Sequence, residues 1–344
     1  MGYRPDCREE RPADRLTTRV GPIKAALRRE PAMNDQVEPF RARICLVLLY
    51  FGRLPLYFPA FLRSCEANPD VDWLFLTDQA PPERELAGCI SWISSSCKEI
   101  NERASDLIQA RVEKTAYGLS DMKPTFGALL GDHLKGYDYW GHCDCDAIFS
   151  SIRKHIDPWL ARGPDVLTSR DNFHCGHFTL WKNSETVNNF FRQVPGYKDF
   201  LTNRDYRWFD EDVISPPIRR AKEAGTLDVQ YASSLVVDWP QLERSPVGWH
   251  WERGELENRI TGERPMYIHF MTWKRWMKSI DFGLEDRPDR FAIARRGIWH
   301  AGIPFFERVR QGIGYENLFH DALPVYRELH FRITGQNKAW KNRK

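Results

Sequence analysis

Continuous apolar runs alternate with segments of helical spacing along the middle of the chain. The first run, Arg43–Tyr50, is followed by Phe51-Gly52, and a run of this length predicts a strand that is buried on both faces. Apolar residues from Leu56 to Cys65 recur at helical spacing, and Val71–Thr77 predicts a second buried strand. Strand, helix and strand in this order predict a mainly parallel α/β sheet flanked by helices.

The pattern continues to about residue 280 and then changes. Residues 287–344 have a helical and basic pattern, so we expect a C-terminal helical extension, whereas residues 1–42 lack periodicity and are expected to form a disordered extension. Residues 43–286 are then the α/β domain. Within it, further strands are predicted at 90–93, 137–149, 165–169, 176–181, 229–231, 235–237 and 266–270, and helices at 98–113 and 121–134.

Composition excludes several classes of protein. Hydrophobic residues make up 42% of the 344 residues and aromatic residues 13%, which is typical of a folded chain. There is no apolar run long enough for a transmembrane helix, and the N-terminus lacks the apolar centre of a signal peptide. The eight cysteines include no C-x-x-C pair, which favours free thiols in a reducing compartment. We therefore expect a cytoplasmic protein.

Charge is unevenly distributed along the chain. The formal net charge is +3, yet residues 287–344 carry +7, residues 1–42 carry +2, and the body between them carries −6. An acidic body argues against a nucleic-acid partner. The basic tail predicts peripheral contact with the inner face of an anionic membrane, through aromatic residues that lie within it. These are Trp299, Phe305, Phe306, Phe319 and Trp340.

The stretch Tyr137–Phe149 begins as an aromatic strand and contains two carboxylates one residue apart, Asp144 and Asp146. Side chains at i and i+2 of a strand point to the same side, so both carboxylates can reach one point where the strand bends or ends. Two hard oxygen ligands suit Mg²⁺ or Mn²⁺. The alternative is a simple acidic turn, because an Asp-x-Asp triplet occurs often by chance.

Other candidate residues lie beyond the carboxyl ends of predicted parallel strands, where ligands bind in such sheets. Tyr50 and Phe51 follow the first strand and Asp78 follows the second, and we predict that they contact a donor substrate; ordinary loop chemistry is the alternative. Lys123 is predicted at the N-terminus of helix 121–134, where the helix dipole disfavours a cation. This position fits a site for an anion such as phosphate.

Taken in order, these pieces resemble the metal-dependent glycosyltransferases of the GT-A fold, of bacterial polysaccharide type. More distantly, they resemble the glycogenin and lipopolysaccharide galactosyltransferase group. The resemblance covers about residues 43–280, with Glu211 where the family has Gln, and without the Gly and Pro that the family's last motif carries near its Lys. The matching segments are Lys123, Tyr137-Asp138, Asp144-Cys145-Asp146, Gly176–Leu180, Asp210–Ser215, Ile268-His269-Phe270 and Lys274.

The resemblance implies a GT-A-like fold and a metal-assisted donor site. Asp144, Asp146 and His269 would hold Mn²⁺ or Mg²⁺, and the metal would bridge the phosphates of a nucleotide-sugar, with a UDP-sugar favoured. Lys123 and Lys274 would add fixed positive charge as the bond to the leaving diphosphate breaks. Asp144 would therefore belong to both the metal site and the donor site.

The resemblance also implies the sugar side of the site. Asp210 or Glu211 would face the sugar, as an oxocarbenium stabiliser or as a base, and Gly176 and His177 would lie in the sugar- and acceptor-binding region. The implied activity is transfer of a hexosyl-type sugar to a glycan or lipid-linked glycan, in polysaccharide, capsule or lipopolysaccharide biosynthesis. Retention of configuration at the anomeric carbon is favoured.

Two rival functions use the same sheet. A sugar-nucleotidyltransferase usually carries a Gly-rich phosphate loop after its first strand, and Tyr50–Arg53 is not such a loop. A non-catalytic glycan-binding protein could keep the fold without the chemistry. Incubation with a sugar phosphate and a nucleoside triphosphate would release pyrophosphate only in the first case, and absence of metal-dependent UDP binding would favour the second.

Histidine, cysteine and tryptophan residues near the motifs offer further alternatives. His142, Cys143, Cys145 and Cys175 do not have the spacing of a structural zinc site, so we expect them to be packing residues. The pair Trp273 and Trp276 either stacks on a sugar or nucleobase or forms a packing face.

Overall fold

The computed structural model describes residues 41–244 and 246–307, which form a mixed α/β structure. In chain order, its strands are Ile44–Tyr50 (β1), Asp72–Thr77 (β2), Ile90–Ser94 (β3), Tyr139–Cys143 (β4), Ala147–Phe149 (β5), Val166–Thr168 (β6), Phe178–Lys182 (β7), Val229–Tyr231 (β8), Val236–Val237 (β9), Trp249–Glu252 (β10), Glu255–Asn258 (β11), Tyr267–His269 (β12), Ser279–Ile280 (β13), Arg290–Ala294 (β14) and Gly297–Trp299 (β15).

The helices are short and lie mostly between the strands of the first 230 residues. The α-helices are Phe58–Glu66 (α1), Cys97–Ile108 (α2), Phe126–Leu129 (α3), Ile152–Leu160 (α4), Glu185–Asn188 (α5), Tyr197–Thr202 (α6), Ser215–Glu223 (α7) and Gln241–Arg244 (α8). The 3-10 helices are Gly118–Thr125, Phe190–Gln193, Ser233–Leu235 and Trp273–Arg275, and Phe209–Val213 is a π-helical turn.

Seven strands form the central sheet, in the order β3-β2-β1-β4-β7-β6-β8. Neighbouring strands are parallel except at β7, which runs antiparallel to both β4 and β6. The predicted α/β class, a mixed and mainly parallel sheet flanked by helices, is confirmed. The carboxyl ends of β1, β2 and β4 meet at one edge because these strands are parallel.

The central strands are apolar on both sides because helices cover both faces of the sheet. Ile44, Leu46 and Leu48 pack with residues of α1 and α4, whereas Cys45 and Val47 pack with residues of α2 and α7 on the other face. All five side chains are at most 5% exposed. Burying an aliphatic side chain of this size contributes roughly 1.5–3 kcal/mol, so β1 is a main source of stability.

Two smaller sheets complete the described part of the chain. In the three-stranded sheet β5-β12-β9, β12 is antiparallel to β5 and parallel to β9. The five-stranded sheet has the order β11-β10-β14-β15-β13, and its core contains Trp249, Trp251, Phe291, Ile293 and Ile298. The short β12 places His269 opposite Ala147, the first residue of β5.

The prediction of a C-terminal helical extension is wrong for residues 290–299, which form β14 and β15. Ile293 of β14 lies opposite Trp249 of β10, so the five-stranded sheet crosses the predicted boundary at residue 286. The sequence Phe-Ala-Ile-Ala is a short apolar run that does not distinguish a helix from a strand, and alanine favours the helical interpretation. The predictions for residues 1–40 and 308–344 lie outside the described residues.

The aromatic residues of the predicted membrane contact are placed differently from one another. Trp299 is 5% exposed and packs inside the protein, so it does not face a membrane, whereas Phe305 and Phe306 are exposed. Phe319 and Trp340 lie outside the described residues. Within the described part of the chain, no helix combines the length and the apolar character needed to cross a bilayer.

Candidate functional site

The chain bends between β4 and β5, and the two predicted acids lie in this bend. Asp144 follows the last residue of β4, and Asp146 precedes the first residue of β5. Cys143 and Cys145 are buried in the hydrophobic core, as expected for packing residues. Asp146 is 3% exposed, whereas Asp144 is half-buried. The bend therefore presents one partly accessible carboxylate and one buried carboxylate.

Strand β12 brings His269 to this bend. His269 lies opposite Ala147 of β5, and the backbone N–H of Phe270 donates to the carbonyl of Asp146 at 2.9 Å. His269 Nε2 is 3.4 Å from Asp146 Oδ1. One nitrogen or oxygen atom from each of Asp144, Asp146 and His269 lies within 4.8 Å of the other two. The structure thus brings together the three predicted metal ligands, although His269 is far from Asp144 and Asp146 in the sequence.

Lys274 lies on the same side of the bend as His269. Its Nζ donates to Asp146 Oδ2 at 2.7 Å, from the 3-10 helix that follows β12. Burial raises the pKa of Asp146, but His269 and Lys274 outweigh burial and hold this pKa well below its usual range. For Lys274, burial lowers the pKa and Asp146 raises it, with a net increase. Both groups are therefore charged at neutral pH.

Lys123 joins Asp144 to Asp210. Its Nζ donates to Asp144 Oδ1 at 2.6 Å and to the carbonyl of Gly176 at 2.8 Å, and lies 3.4 Å from Asp210 Oδ2. Burial lowers the pKa of Lys123, but the two carboxylates outweigh it and raise the pKa. The predicted position at a helix N-terminus is wrong, because Lys123 lies in the last turn of the 3-10 helix Gly118–Thr125.

Asp210 and Glu211 lie in the π-helical turn that precedes α7. π-Helical turns occur often at functional sites, because the extra residue shifts side chains out of register. Asp210 is 1% exposed and accepts a hydrogen bond from the Tyr206 hydroxyl at 2.8 Å. Burial raises the pKa of Asp210, against the opposing effect of Lys123. Glu211 is half-buried and accepts a hydrogen bond from the N–H of Gly176.

The carboxylates of Asp210 and Glu211 approach the backbone of Gly176 so closely that a larger residue would not fit without moving them. A Cβ on Gly176 would lie 2.8 Å from Asp210 Oδ2 and 3.0 Å from Glu211 Oε1. Separations this short are not tolerated, so any side chain at position 176 would displace the two carboxylates. Gly176, which was predicted to lie in the sugar- and acceptor-binding region, is thus in direct contact with both acids.

The predicted donor residues at the ends of β1 and β2 lie at the same sheet edge. The carboxylate of Asp78 accepts hydrogen bonds from the N–H of Gly52 at 2.9 and 3.1 Å, which ties the two strand ends together. Burial raises the pKa of Tyr50. The charge of Lys274 lowers this pKa and that of Asp146 raises it. Phe51 is half-buried against the core.

The ring of His177 packs directly against the ring of His269. The two imidazole rings are stacked with centroids 4.0 Å apart, and His177 Nδ1 lies 2.7 Å from the Tyr267 hydroxyl. His177 is 2% exposed, so it has almost no surface that an acceptor could contact. Its Nε2 lies 3.5 Å from Asp238 Oδ2. Burial lowers the pKa of His177 well below its ordinary value, so the ring is neutral at neutral pH.

Sequence reasoning missed Asp238 and the groups around it. Asp238 pairs with Arg170 at 2.6 Å and belongs to a second possible metal-binding group with His177 and His269. It also lines a cavity of about 380 Å³ together with Arg170 and Trp239. The signal was present in the sequence, because Asp238 directly follows a predicted strand, just as Asp78 does.

The burial of the nearby histidine, cysteine and tryptophan residues decides between the remaining alternatives for them. In the described ranges, both groups that could hold a metal consist of histidine and aspartate, without cysteine. His142 and Cys175 are buried in the core. Trp273 is fully buried and is a packing residue, whereas Trp276 is 42% exposed and lies under the guanidinium of Arg295.

Comparison with protein families identifies one match. A family described as a family of unknown function, DUF6625, matches residues 46–301, which is well over half of the chain. This chain belongs to that family. The matched range contains every residue of the site described above. No curated protein sequence matches the chain.

Solved structures similar to this DUF6625 protein include three glycosyltransferases. Mouse xyloside xylosyltransferase 1, in its apo form, is 11% identical, with 66% of this chain and 97% of that chain covered and a TM-score of 0.38. Galactosyltransferase LgtC, in complex with donor and acceptor sugar analogues, is 13% identical, with 69% and 90% covered and a TM-score of 0.36. The bifunctional glycosyltransferase WbbM is 10% identical, with 67% and 46% covered and a TM-score of 0.36.

Proposed function

We propose that this protein is a metal-dependent glycosyltransferase. It moves a sugar from a nucleotide-sugar, with a UDP-sugar favoured, to a glycan or lipid-linked glycan. The observation that carries the proposal is the convergence of Asp144, Asp146 and His269, whose ligand atoms lie within 4.8 Å of one another at the carboxyl edge of the sheet. Ligands bind at this edge in α/β sheets.

The donor set fits Mn²⁺ or Mg²⁺. Two carboxylates and one imidazole supply hard oxygen and borderline nitrogen ligands, and ligand atoms that share one ion lie about 3–4 Å apart when each is about 2.1 Å from it. Asp144, Asp146 and His269 would hold the ion. The ion would supply Lewis-acid stabilisation of the leaving diphosphate.

The charges of the site favour a cation together with a diphosphate. Among the described residues, the carboxylates of Asp144, Asp146 and Asp210 pair with two lysines, Lys123 and Lys274, and Asp146 also lies beside His269. Lys123 pairs with both Asp144 and Asp210 and so offsets the repulsion between their like charges. Lys274 is 41% exposed and can turn from Asp146 towards a phosphate group. The lysines thus orient the carboxylates and balance the developing negative charge.

The sugar side of the site is formed by Asp210 and Glu211. In the transfer, the bond between the anomeric carbon and the diphosphate oxygen breaks, and the diphosphate leaves with the electron pair. A bond forms from the same carbon to the acceptor oxygen, whose proton passes to a base. Asp210 and Glu211 are our candidates for this base: burial raises the pKa of Asp210 towards neutral pH, where proton acceptors are most effective, whereas the half-buried Glu211 is the more accessible of the two. The resemblance to retaining families favours retention of configuration.

A screen for donor hydrolysis tests the proposal. Wild-type protein is incubated with UDP-glucose, UDP-galactose, UDP-N-acetylglucosamine and GDP-mannose, with Mn²⁺ or with a chelator, and release of the nucleoside diphosphate is measured. We expect hydrolysis of at least one donor, dependent on the metal and reduced at least about 100-fold in Asp144→Asn. Proton NMR of the first released anomer reports retention or inversion.

The matched control is Asp106→Asn, at an exposed aspartate in α2 that lies outside the site. This variant should hydrolyse the donor like wild type. Full activity in Asp144→Asn, or equal activity with and without the metal, would contradict the metal site. Formation of pyrophosphate from a sugar phosphate and a nucleoside triphosphate would instead identify a nucleotidyltransferase.

A further inference from the structure

Three aromatic side chains, of which two are exposed and one is half-buried, lie together beside Asp210. We call the rings of Tyr117, Tyr206 and Trp208 the aromatic shelf. Ring centroids are 5.1 Å apart for Tyr117 and Tyr206 and 5.2 Å apart for Tyr206 and Trp208. Tyr117 is 71% exposed and Trp208 is 44% exposed. Because the Tyr206 hydroxyl donates to Asp210 Oδ1 at 2.8 Å, the shelf ends at a carboxylate of the candidate site.

The backbone of Trp208 has an unusual conformation. Its φ is 56° and its ψ is 32°, in the left-handed region that favours glycine. A bulky aromatic residue in this region is an outlier, and such conformations persist only where the surrounding structure enforces them. Strained residues of this kind cluster at ligand-binding sites. The exposed indole is therefore held in place by the protein and not by its own preference.

A buried ion pair enforces this conformation. The carboxylate of Asp121 accepts hydrogen bonds from the N–H groups of Arg207 and Phe209, both at 2.8 Å, so it fixes the backbone on each side of Trp208. Lys114 Nζ lies 2.5 Å from Asp121 Oδ2, and both side chains are fully buried. A buried ion pair must be well ordered to offset its desolvation. Lys114 and Asp121 are thus positioning residues for the shelf.

A second contact joins the two segments that carry the shelf. The N–H of Thr115 donates to the carbonyl of Arg204 at 3.1 Å. Gly118 permits this approach, because a Cβ there would lie 2.7 Å from the same carbonyl oxygen. The segment that carries Tyr117 is therefore fixed against the segment that carries Tyr206 and Trp208.

We propose that the aromatic shelf binds a pyranose ring of the acceptor saccharide. This inference rests on the proposed glycosyl transfer and names the acceptor class and its place. A pyranose has an apolar C–H face, which packs on aromatic rings, and a rim of hydroxyl groups, which donate to carboxylates such as that of the half-buried Glu211. An alkyl chain in the same place would lie against charged groups that need hydrogen-bond donors.

The charges around Tyr117 support this placement. Partial burial raises the pKa of its hydroxyl. The charges of Lys274 and Lys123 lower this pKa, and those of Asp144 and Asp210 raise it. The Tyr117 hydroxyl therefore lies in the field of both the metal-ligand side and the sugar side of the site. A saccharide on the shelf would have one edge directed towards the reacting groups.

The test uses saccharide binding, which is measured separately from activity. Saturation-transfer NMR is recorded with lactose, maltose and cellobiose as probes, with Mn²⁺ and UDP present and absent. Wild-type protein should transfer saturation to at least one disaccharide. The variant Trp208→Gly should bind that disaccharide at least about tenfold more weakly. Its melting temperature should not fall, because glycine adopts the left-handed conformation without strain.

Tyr117→Ala is a second variant, at an exposed position with ordinary backbone geometry, and should weaken binding in the same way. Phe306→Ala removes another exposed ring, away from the shelf, and should leave binding unchanged. Three results would overturn the proposal. They are no disaccharide binding by wild type, unchanged binding in both shelf variants, or loss of UDP binding instead of disaccharide binding in them, which would indicate a nucleobase on the shelf. Absence of Mn²⁺-dependent UDP binding in wild type would instead count against the proposed function.

Discussion

At the scale of single residues, the state of the site is set by where the lysines lie. Lys274 pairs with Asp146 and Lys123 pairs with Asp144, at 2.7 and 2.6 Å. For Asp146, the effects of His269 and Lys274 outweigh burial and lower the pKa, so this carboxylate stays ionised. Asp210 is further from Lys123, at 3.4 Å, and its pKa is raised by burial. The site therefore combines Asp146, which stays charged, with Asp210, which exchanges a proton more readily.

Gly176 provides a residue-scale prediction. In Gly176→Ala, the new methyl group would meet Asp210 Oδ2 at 2.8 Å and push apart the two acids of the π-helical turn. We expect donor hydrolysis to fall at least about tenfold while the protein stays folded, because displacement of reacting groups by about 1 Å is costly. Kinetics with a hydrolysed UDP-sugar and circular dichroism measure the two effects.

The control for this variant is Gly88→Ala, where a Cβ would meet no atom within 4 Å. Normal activity in both variants would mean that the close approach around Gly176 is unrelated to function.

At the scale of elements, the site depends on short strands that sequence patterns predict unevenly. The bend between β4 and β5 was predictable, since Asp144 and Asp146 follow a long apolar strand. The pairing of β12 with β5, which brings in His269, was available only through family resemblance, because three-residue strands give no periodic signal. The aromatic shelf was not predictable, because its strained Trp208 depends on the distant Asp121.

Strand β4 and the segment before β7 contain neutral buried histidines, and these predict how stability depends on pH. Burial lowers the pKa of His142 well below its ordinary value and lowers that of His174 to about 3. The unfolded chain binds protons at these histidines below about pH 6.5, whereas the folded chain does not. Stability is therefore fully present above pH 6.5 and is lost as pH falls towards the folded-state pKa values.

The variant His142→Gln removes one such group and keeps a donor for the carbonyl of Cys175. We expect its loss of unfolding free energy between pH 7.5 and pH 5.5 to be smaller than that of wild type by about 1.4 kcal/mol. Urea unfolding at both pH values measures this difference. The control is His300→Gln, at an exposed position. Equal losses in wild type and His142→Gln would show that His142 titrates alike in both states.

At the scale of the whole molecule, the described chain combines a mainly parallel sheet with a second sheet built from its C-terminal part. The α/β class followed from apolar runs such as Ile44–Tyr50, which need no distant information. The five-stranded sheet could not be predicted from such local runs, because β10, β14 and their neighbours are stabilised by tertiary packing of Trp249, Trp251 and Phe291. The alanine and arginine residues of 290–296 favour a helix by local propensity, and tertiary packing overrides this preference.

The central claim is that this edge of the sheet binds a nucleoside diphosphate through a divalent cation. Calorimetric titration of wild-type protein with UDP, in Mn²⁺ and then in a chelator, tests it most directly. We predict saturable binding in Mn²⁺ that weakens at least about 100-fold when the metal is removed, because the carboxylates of Asp144 and Asp146 repel the phosphates without it. Equal affinity for UDP with and without the metal, or no binding in either condition, would contradict the account.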